Sequence, residues 1–335
     1  MIKEALKDVV EGKDLSYDTA KEVMNEIMSG EASQMLVAAY LTALRMKGET
    51  IDEITASAEG MRSHATPFPY EGDLLEIVGT GGDEANSFNI STTSAIVVSA
   101  AGIPVAKHGN RSVSSKSGAA DVLEAAGVDI TISPEKSADI LKKIGISFMF
   151  AQIYHPAMKN VGPVRKELGL RTIFNILGPL TNPAHADYQL LGVYDESLVR
   201  PLAEVLIKLG VKRGMVVYGQ DRLDEISMSS DTTCAEINDG NITEYVIKPE
   251  DYGFTKCSKD ALVGGDGAEN AKILRAILDG SERGAKRDAV VINSAAALHI
   301  VKGISMEDAV KEVNEVIDNG KALSQLDKFI EMTNA

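Results

Sequence analysis

A glycine-rich turn near residue 80 is the first segment whose residues could do chemistry. Residues 77–84 read Ile-Val-Gly-Thr-Gly-Gly-Asp-Glu and end a short apolar run. Glycine lets the backbone approach an anion and aim several N–H groups at it, which predicts a phosphate cradle. The dinucleotide fingerprint fits poorly, because Glu84 stands at the third glycine position. Asp83 favours a ligand that carries hydroxyls or a bound cation, and an ordinary tight turn is the alternative interpretation.

Hydroxyl and cationic side chains follow the turn in two further segments. Asn89-Ile-Ser-Thr92 stands at the head of an Ala/Val-rich helix, where hydroxyls and the helix dipole bind anions, although these residues also suit an ordinary N-cap. Residues 107–118 read Lys-His-Gly-Asn-Arg-Ser-Val-Ser-Ser-Lys-Ser-Gly. This run collects donors in an acidic chain, which favours an anion-binding loop over a solvated surface loop. Together the segments predict a phosphate site.

Two more segments supply a cation and a pair of acids. Arg165 could hold a carboxylate through both arms of its guanidinium, although a single arginine is more often a solvated charge. Asp224 and Glu225 are adjacent in a loop after a predicted strand. Adjacent carboxylates are typical of a hard-cation site that also uses substrate phosphates, as Mg²⁺ sites do. Acidic pairs are common in a chain with 49 acids, so this pair alone is weak evidence.

The composition of the chain excludes several classes of function. The 34 basic and 49 acidic residues give a formal net charge of −15, which disfavours nucleic acid and anionic membranes as partners. Two cysteines are too few for a disulfide framework or a thiolate zinc site, and five histidines make a histidine-rich metal centre improbable. No segment resembles a signal peptide or a membrane span, so we expect a cytoplasmic enzyme.

The elements that must position these residues change character near residue 70. The first sixty-odd residues predict short amphipathic helices, including a capping box at Thr50-Ile-Asp-Glu53. One expected buried stripe consists of Leu36, Ala39, Tyr40, Leu44 and Met46. After a Pro- and Gly-rich linker at 67–72, strands alternate with helices, and a hairpin is expected at the Asp-Gly turn of residues 238–241.

This alternation predicts an α/β fold: a small all-helical N-terminal domain plus a large α/β domain with a mostly parallel central sheet flanked by helices. We expect the small domain to span residues 1–66, joined by helices from about 156–182. The large domain, which would bind the phosphate-bearing ligand, should span residues 73–335. The first three segments would then follow strands of one sheet.

Taken together, the motifs resemble the anthranilate phosphoribosyltransferase family through nearly the whole chain. The specific motifs are Lys-His-Gly-Asn-Arg at 107–111 and Phe-Asn-Ile-Leu-Gly-Pro-Leu at 174–180, with the glycine turn and the acidic pair in the family's order. The resemblance implies transfer of the phosphoribosyl group from phosphoribosyl pyrophosphate (PRPP) to the amine of anthranilate, in tryptophan biosynthesis. It also implies magnesium, as a pair of ions per subunit, and a homodimer joined through the helical domain.

The resemblance also carries residues onto this chain. Lys107, His108 and Asn110 would position the substrates, with no residue acting as an acid or base. Magnesium would be ligated by Ser91, Asp224 and Glu225. Anthranilate would contact Gly79, Asn110, Arg165, His108 and His155. PRPP would contact Gly79, Gly82, Asp83, Ser87, Asn89, Ile90, Ser91, Thr92, Lys107, His108, Gly109, Asn110, Arg111, Ser112, Val113, Ser114, Ser115 and Ala119.

Three positions depart from the commoner family pattern, and other functions remain open. Ser87 stands where Thr is frequent, Glu84 where Gly is frequent, and Gln152 where Pro is frequent. A pyrimidine-nucleoside phosphorylase, which shares the fold, is the nearest alternative. A paralogue that uses another aromatic amine is a second, and a non-catalytic nucleotide-binding or regulatory module is a third.

Overall fold

A computed structural model describes residues 1–112 and 116–335 of the chain. Four helices open it, and their ends follow local signals. Ser16, Ser33 and Thr50 cap three of them with side-chain oxygens, and Thr50 and Glu53 form the predicted capping box. Gly30 ends α2 in the left-handed conformation, at φ +82°. The helices are α1 (Ile2–Val10), α2 (Tyr17–Ser29), α3 (Gln34–Lys47) and α4 (Ile51–Ser63).

A seven-stranded sheet forms the rest of the framework. Its spatial order is β3-β2-β1-β4-β5-β6-β7, in which the first five strands are parallel and the last two antiparallel. The expected hairpin joins β6 to β7. The strands are β1 (Leu75–Gly79), β2 (Val105–Gly109), β3 (Ile146–Phe150), β4 (Tyr188–Gly192), β5 (Arg213–Gly219), β6 (Thr232–Asn238) and β7 (Asn241–Ile247).

The remaining helices connect and cover the strands. Two of them, α5 and α13, are buried along most of their length and lie in the main core. These helices are α5 (Ile90–Ala100), α6 (Ala119–Ala126), α7 (Pro134–Ile144), α8 (Ala151–Tyr154), α9 (Gly162–Leu168), α10 (Phe174–Leu177), α11 (Val199–Lys208), α12 (Gly267–Leu278), α13 (Ala285–Lys302), α14 (Met306–Asp318) and α15 (Lys321–Asn334). The α/β class with a mostly parallel sheet and a helical N-terminal domain is confirmed.

A second core joins the N-terminal helices to the segment 161–180 and to one face of the sheet. Val164, Phe174 and Leu177 are buried in the same cluster as residues of α1 to α4. Arg62 on α4 donates through Nε to the Leu180 carbonyl at 2.8 Å, which ties the segment to the helices. Residues of the segment 161–180 thus pack against the N-terminal helices; the division of the chain into two domains stays a prediction.

The predicted stripe on α3 is wrong at two positions. Tyr40 and Leu44 are buried as expected, but Ala39 is exposed and Met46 is 84% exposed. Val37 and Leu41 fill the core positions instead. The helix carries apolar residues on more than one face, so that helical spacing alone did not determine which face the neighbouring helices cover.

No single helix among the described residues is long and apolar enough to cross a membrane. One bent pair, α13 with α14, satisfies length and composition together, and its two helices meet at 117°. Most residues of α13 are buried inside the protein.

Candidate functional site

The predicted site lies at the carboxyl ends of the parallel strands. After β1 the chain moves to β2 on one side, whereas β4 lies on the other, so that the strand order reverses between β1 and β4. Open parallel sheets bind ligands in the crevice at such a reversal. The glycine turn follows β1, and the loop with the acidic pair reaches this crevice from the end of β5.

The acidic pair packs directly against the glycine turn. Asp224 accepts a hydrogen bond on Oδ2 from the Gly81 N–H at 2.7 Å. Its own backbone N–H donates to Asp83 Oδ2 at 3.4 Å. A Cβ atom built on Gly79 would lie 2.2 Å from Asp224 Oδ2, so glycine is required there. Residues some 140 positions apart in the chain thus form one surface.

Lys107 and Ser91 connect the other half of the pair to the phosphate segments. The Ser91 N–H, at the head of α5, donates to Glu225 Oε1 at 3.1 Å. The Lys107 ammonium donates to Ser91 Oγ at 3.2 Å and to the Ile77 carbonyl at 2.6 Å. The glycine turn, the helix head, Lys107 and the acidic pair therefore converge at one point.

Burial shapes the charge of this cluster. It raises the pKa of Asp224 well above its ordinary value, and the neighbouring Asp83 carboxylate raises it further. Burial also raises the pKa of Glu225 to about 7, against the opposing effect of the Lys107 charge. The pKa of Lys107 itself is lowered by burial. The cluster is thus rich in acid, and a divalent cation would offset its charge.

The donor set fits magnesium in chemical type. Carboxylate and hydroxyl oxygens are hard ligands, and Mg²⁺ in proteins is commonly held by one or two carboxylates together with substrate phosphates and water. Across residues 1–112 and 116–335, no three His, Cys, Asp or Glu side chains form a ready-made metal cage. Asp224, Glu225 and Ser91 supply oxygen donors of this type beside the glycine turn.

The side chain of Asn89 is used within the protein. Its Oδ1 accepts from Asn270 Nδ2 at 2.9 Å and from Ser117 Oγ at 3.2 Å, and its Nδ2 donates to the Ser117 carbonyl. Ile90 and Thr92 are buried, so these predicted residues can offer mainly backbone groups to a ligand. Ser87 pairs with Val263 in an isolated bridge at the edge of the turn.

The donor loop after β2 is partly occupied by its own contacts. Arg111 forms ion pairs with Asp121 at 3.1 Å and Glu124 at 2.7 Å, which directs its charge toward α6. The Ser112 N–H also donates to Asp121. Asn110 is exposed and accepts the Arg111 N–H on its side chain.

Five further residues were predicted to contact PRPP in or next to this loop. Two of them, Gly109 and Ala119, are described by the structure. A Cβ atom on Gly109 would lie 3.0 Å from the Cβ of Ala119, so these two predicted positions are in close contact. Val113, Ser114 and Ser115 lie outside the described residues.

The two predicted histidines form a buried pair. The ring centroids of His108 and His155 are 5.0 Å apart, with the rings inclined at 61°. Burial lowers the pKa of His108 to about 3 and that of His155 to about 4. Both rings are therefore neutral near pH 7, which suits walls of a binding path and disfavours a role as proton donors.

Arg165 projects from α9 without an acidic partner among the described residues. Its guanidinium carbon lies 5.5 Å from the centre of the Phe174 ring, and burial lowers its pKa. A half-buried cation that lacks an internal counter-ion is suited to an external carboxylate.

The glycine turn adopts a conformation that the sequence did not reveal. Gly81, Gly82 and Glu84 all have positive φ, at +67°, +76° and +58°. Glycine tolerates this region freely, whereas a residue such as Glu84 adopts it at a cost. The Gly82 carbonyl accepts a hydrogen bond from Arg171, which also lies over the Tyr194 ring at 4.3 Å.

Several residues that support the site were not identified from the sequence. Glu76 accepts the His108 N–H at 3.0 Å and Asn182 Nδ2 at 2.6 Å, and it is fully buried. Gly192, on β4, lies against the Asp224 backbone, and Asn293, on α13, bonds to Ile226. The signal that could have identified Glu76 and Asn293 from the sequence is a polar residue within an otherwise apolar run.

Comparisons with known proteins agree with this architecture. Residues 71–323 match the model of the glycosyl transferase family, a/b domain, and residues 3–65 match that of its helical bundle domain. The chain therefore belongs to the glycosyl transferase family that these models describe.

Individual relatives are more specific. The anthranilate phosphoribosyltransferase of Lachnoclostridium phytofermentans is 64% identical over 335 residues, which cover 100% of this chain and 99% of that protein. The crystal structure of the Thermus thermophilus enzyme superposes with a TM-score of 0.94 at 41% identity and covers 99% of both chains. The Saccharomyces cerevisiae enzyme in complex with PRPP and Mg gives 0.92 at 26% identity, over 99% of this chain and 98% of that one. With the site geometry, these likenesses show that the chain belongs to the anthranilate phosphoribosyltransferase family.

Proposed function

We propose that this protein transfers the 5-phosphoribosyl group of PRPP to the amine of anthranilate, with release of pyrophosphate. The observation that carries the proposal is the convergence of the glycine turn, the head of α5, Lys107 and the acidic pair at one crevice. The yeast relative binds PRPP and Mg, and its complex with 4-fluoroanthranilate is also known. Its substrates and those of this chain would then be the same.

PRPP would lie across the strand ends. Its pyrophosphate would be held by the backbone N–H groups of the glycine turn and of the α5 head, together with the Lys107 ammonium. The loop that starts at Lys107 would continue along the pyrophosphate and ribose through Asn110. Magnesium, when bound, supplies positive charge that stabilises the departing pyrophosphate, and Asp224, Glu225 and Ser91 would hold it. We propose a pair of ions per subunit, because Asp83 adds a third carboxylate beside the acidic pair.

Anthranilate would approach from the side of the small domain. Arg165 would hold its carboxylate, and Asn110 and Gly79 would contact the ring near the ribose. His108 and His155, which are neutral, would line the path. An aromatic amine is already a usable nucleophile, so that catalysis would rest on positioning and on stabilisation of the leaving group.

The exposed face of α3 supports a homodimer joined through the helical domain. Met35 and Met46 are 83% and 84% exposed, and Ala39 between them is exposed as well. Residues separated by four and eleven positions share one face of an α-helix. Exposed apolar faces of this kind commonly mark interaction surfaces. We place the enzyme in the cytoplasm, with a small domain of residues 1–66, against which helices from about 156–182 pack, and a large domain within residues 73–335.

The experiment that tests the function follows the fluorescence of anthranilate. The protein is mixed with anthranilate, PRPP and MgCl₂, and the assay is repeated with EDTA and with the Asp224→Asn variant. A decay that requires magnesium and is lost in the variant is the expected result. Cleavage of thymidine or uridine by phosphate without any such decay would instead identify a nucleoside phosphorylase. PRPP binding by calorimetry without decay would identify a different acceptor amine.

A further inference from the structure

A fully buried asparagine stands in the middle of α13, a helix that lies largely inside the core. Asn293 on α13 is 0% exposed, and its chain neighbours Ile292 and Ser294 are fully buried as well. An asparagine buried among apolar side chains is costly unless every one of its polar atoms has a partner. The position thus calls for a specific role.

Both ends of the Asn293 amide bond to one backbone unit. Its Oδ1 accepts the Ile226 N–H at 3.0 Å, and its Nδ2 donates to the Ile226 carbonyl at 2.9 Å. The second hydrogen of Nδ2 goes to the Ala289 carbonyl at 2.9 Å, within the same helix. The amide therefore clamps Ile226 in two directions and leaves none of its hydrogens unused.

The clamped residue follows the acidic pair in the chain. Ile226 is adjacent to Glu225, so that a shift of its peptide unit would move the Glu225 carboxylate away from the Ser91 N–H. The same loop is fixed at a second point, where Asp221 accepts hydrogen bonds from the hydroxyls of Ser227 and Ser230 at 3.1 and 3.0 Å. The loop tip that carries Asp224 and Glu225 is thus fixed by hydrogen bonds on both sides, at Asp221 and at Ile226.

We propose that Asn293 is a positioning residue, which holds the Ile226 backbone so that Asp224 and Glu225 present their carboxylates to the crevice. This inference rests on the proposed function only for the identity of the cation and substrate; the clamp itself is a feature of the fold. Partners that orient metal-ligating groups typically alter metal affinity or activity by roughly 10- to 100-fold when they are changed.

The test uses two variants and one matched control. Asn293→Leu removes all three hydrogen bonds and keeps the number and branching of the side-chain heavy atoms. Asn293→Asp keeps an acceptor for the Ile226 N–H but no donor for its carbonyl. Ser294→Ala is the control, because Ser294 is also fully buried on α13 and its hydroxyl has no hydrogen-bond partner among the described residues. Thermal unfolding of each protein shows whether it folds.

Two measurements on the full-length chain separate the clamp from the reaction. Amide hydrogen exchange at Ile226 should be faster in Asn293→Leu than in the wild type and unchanged in Ser294→Ala. Calorimetric binding of PRPP with Mg²⁺ should weaken by about 10- to 100-fold in Asn293→Leu. The KM for anthranilate should change far less. If Asn293→Leu does not fold, Asn293→Asp carries both measurements.

The outcomes distinguish this inference from the proposed function. Wild-type exchange at Ile226 in the Asn293 variants, or wild-type affinity for PRPP with Mg²⁺ despite faster exchange, would overturn the positioning role. Equal losses for PRPP and anthranilate would overturn it too, since they indicate a general structural effect. Wild-type protein that binds no PRPP with Mg²⁺ would instead refute the proposed function, while the exchange data would still report on the clamp.

Discussion

Gly79 and Gly192 lie directly opposite each other on β1 and β4, at the point where the strand order reverses, and Asp224 packs against both. A Cβ atom on Gly79 would lie 2.2 Å from Asp224 Oδ2, and one on Gly192 would lie 1.6 Å from the Asp224 carbonyl oxygen. The paired glycines thus open the crevice for the acidic loop. Both positions require glycine only because Asp224 approaches the backbone so closely, since neither residue has a positive φ.

We expect Gly192→Ala to displace the Asp224 backbone and to impair the enzyme. A methyl group cannot lie 1.6 Å from a carbonyl oxygen, so the loop must move. A misplacement near 1 Å can lower a rate by about 10²-fold, and overpacking typically costs about 1–3 kcal/mol of stability. Steady-state kinetics and thermal unfolding measure the two effects. Gly162→Ala is the matched control, since a Cβ atom there meets nothing within 4 Å. Wild-type kinetics in Gly192→Ala would contradict the expectation.

Arg165→Ala should raise the KM for anthranilate more than the KM for PRPP. The Arg165 guanidinium lies over the Phe174 ring and lacks an acidic partner among the described residues. Its loss would remove a charge-assisted contact with the anthranilate carboxylate. Such a contact is worth roughly 1.5–3 kcal/mol, or about 10- to 150-fold in affinity. Lys166→Ala is the control, because Lys166 is the next residue on α9 and is exposed. Equal effects of Arg165→Ala on both substrates would argue against the assignment.

The sequence predicted those parts of the fold in which the signal is local. The Thr50 and Glu53 capping box and the Asp239-Gly240 turn each lie within a few residues, and both are present. The error on α3 has a different cause. Helical periodicity identifies apolar faces, but which face is covered depends on neighbouring helices and on other molecules, so that Ala39 and Met46 were assigned to the core.

The site was predictable to a similar extent. The residue type alone indicated a binding role for Lys107, Asp224 and Glu225, and the structure brings these three side chains together. Asn293 lies 67 residues from Ile226, and nothing in the local sequence says which backbone it meets. Contacts between distant segments depend on the register of the sheet and on helix packing, which local patterns do not specify.

Glu76 should make the free energy of unfolding fall as the pH rises. Burial raises its pKa from the ordinary value of 4.5 to about 7, against the hydrogen bond from Asn182. Between these two values the folded chain binds more protons than the unfolded chain. The contribution of Glu76 to the free energy of unfolding is therefore fully present below about pH 4.5. It is lost as the pH rises toward 7. Glu225, whose pKa is also raised to about 7, contributes in the same direction.

Glu76→Gln should therefore reduce the pH dependence of stability without abolishing it. The glutamine side chain does not titrate, so position 76 no longer takes up a proton on folding, whereas Glu225 still does. Urea unfolding at pH 5 and pH 8 measures the change. Glu307→Gln, at an exposed position on α14, is the control for a lost charge. A pH dependence in Glu76→Gln equal to that of the wild type would show that Glu76 titrates alike in both states.

The exposed methionines of α3 provide the last prediction. If Met35 and Met46 form a dimer contact, the double variant Met35→Glu with Met46→Glu should dissociate the protein, because buried unpaired carboxylates are costly at an interface. The fold should persist, since both side chains are more than four-fifths exposed and contribute little to the core. Sedimentation at several concentrations gives the oligomeric state, and circular dichroism checks the fold.

Val246→Glu serves as the control for this experiment. Val246 is 45% exposed on the edge strand β7, so that its change adds one charge to an exposed apolar residue outside α3. The variant should keep the oligomeric state of the wild type. A wild-type chain that sediments as a monomer, or a dimer that survives both methionine substitutions, would show that the α3 face does not join two copies. Dissociation in the double variant alone would place the interface on that face.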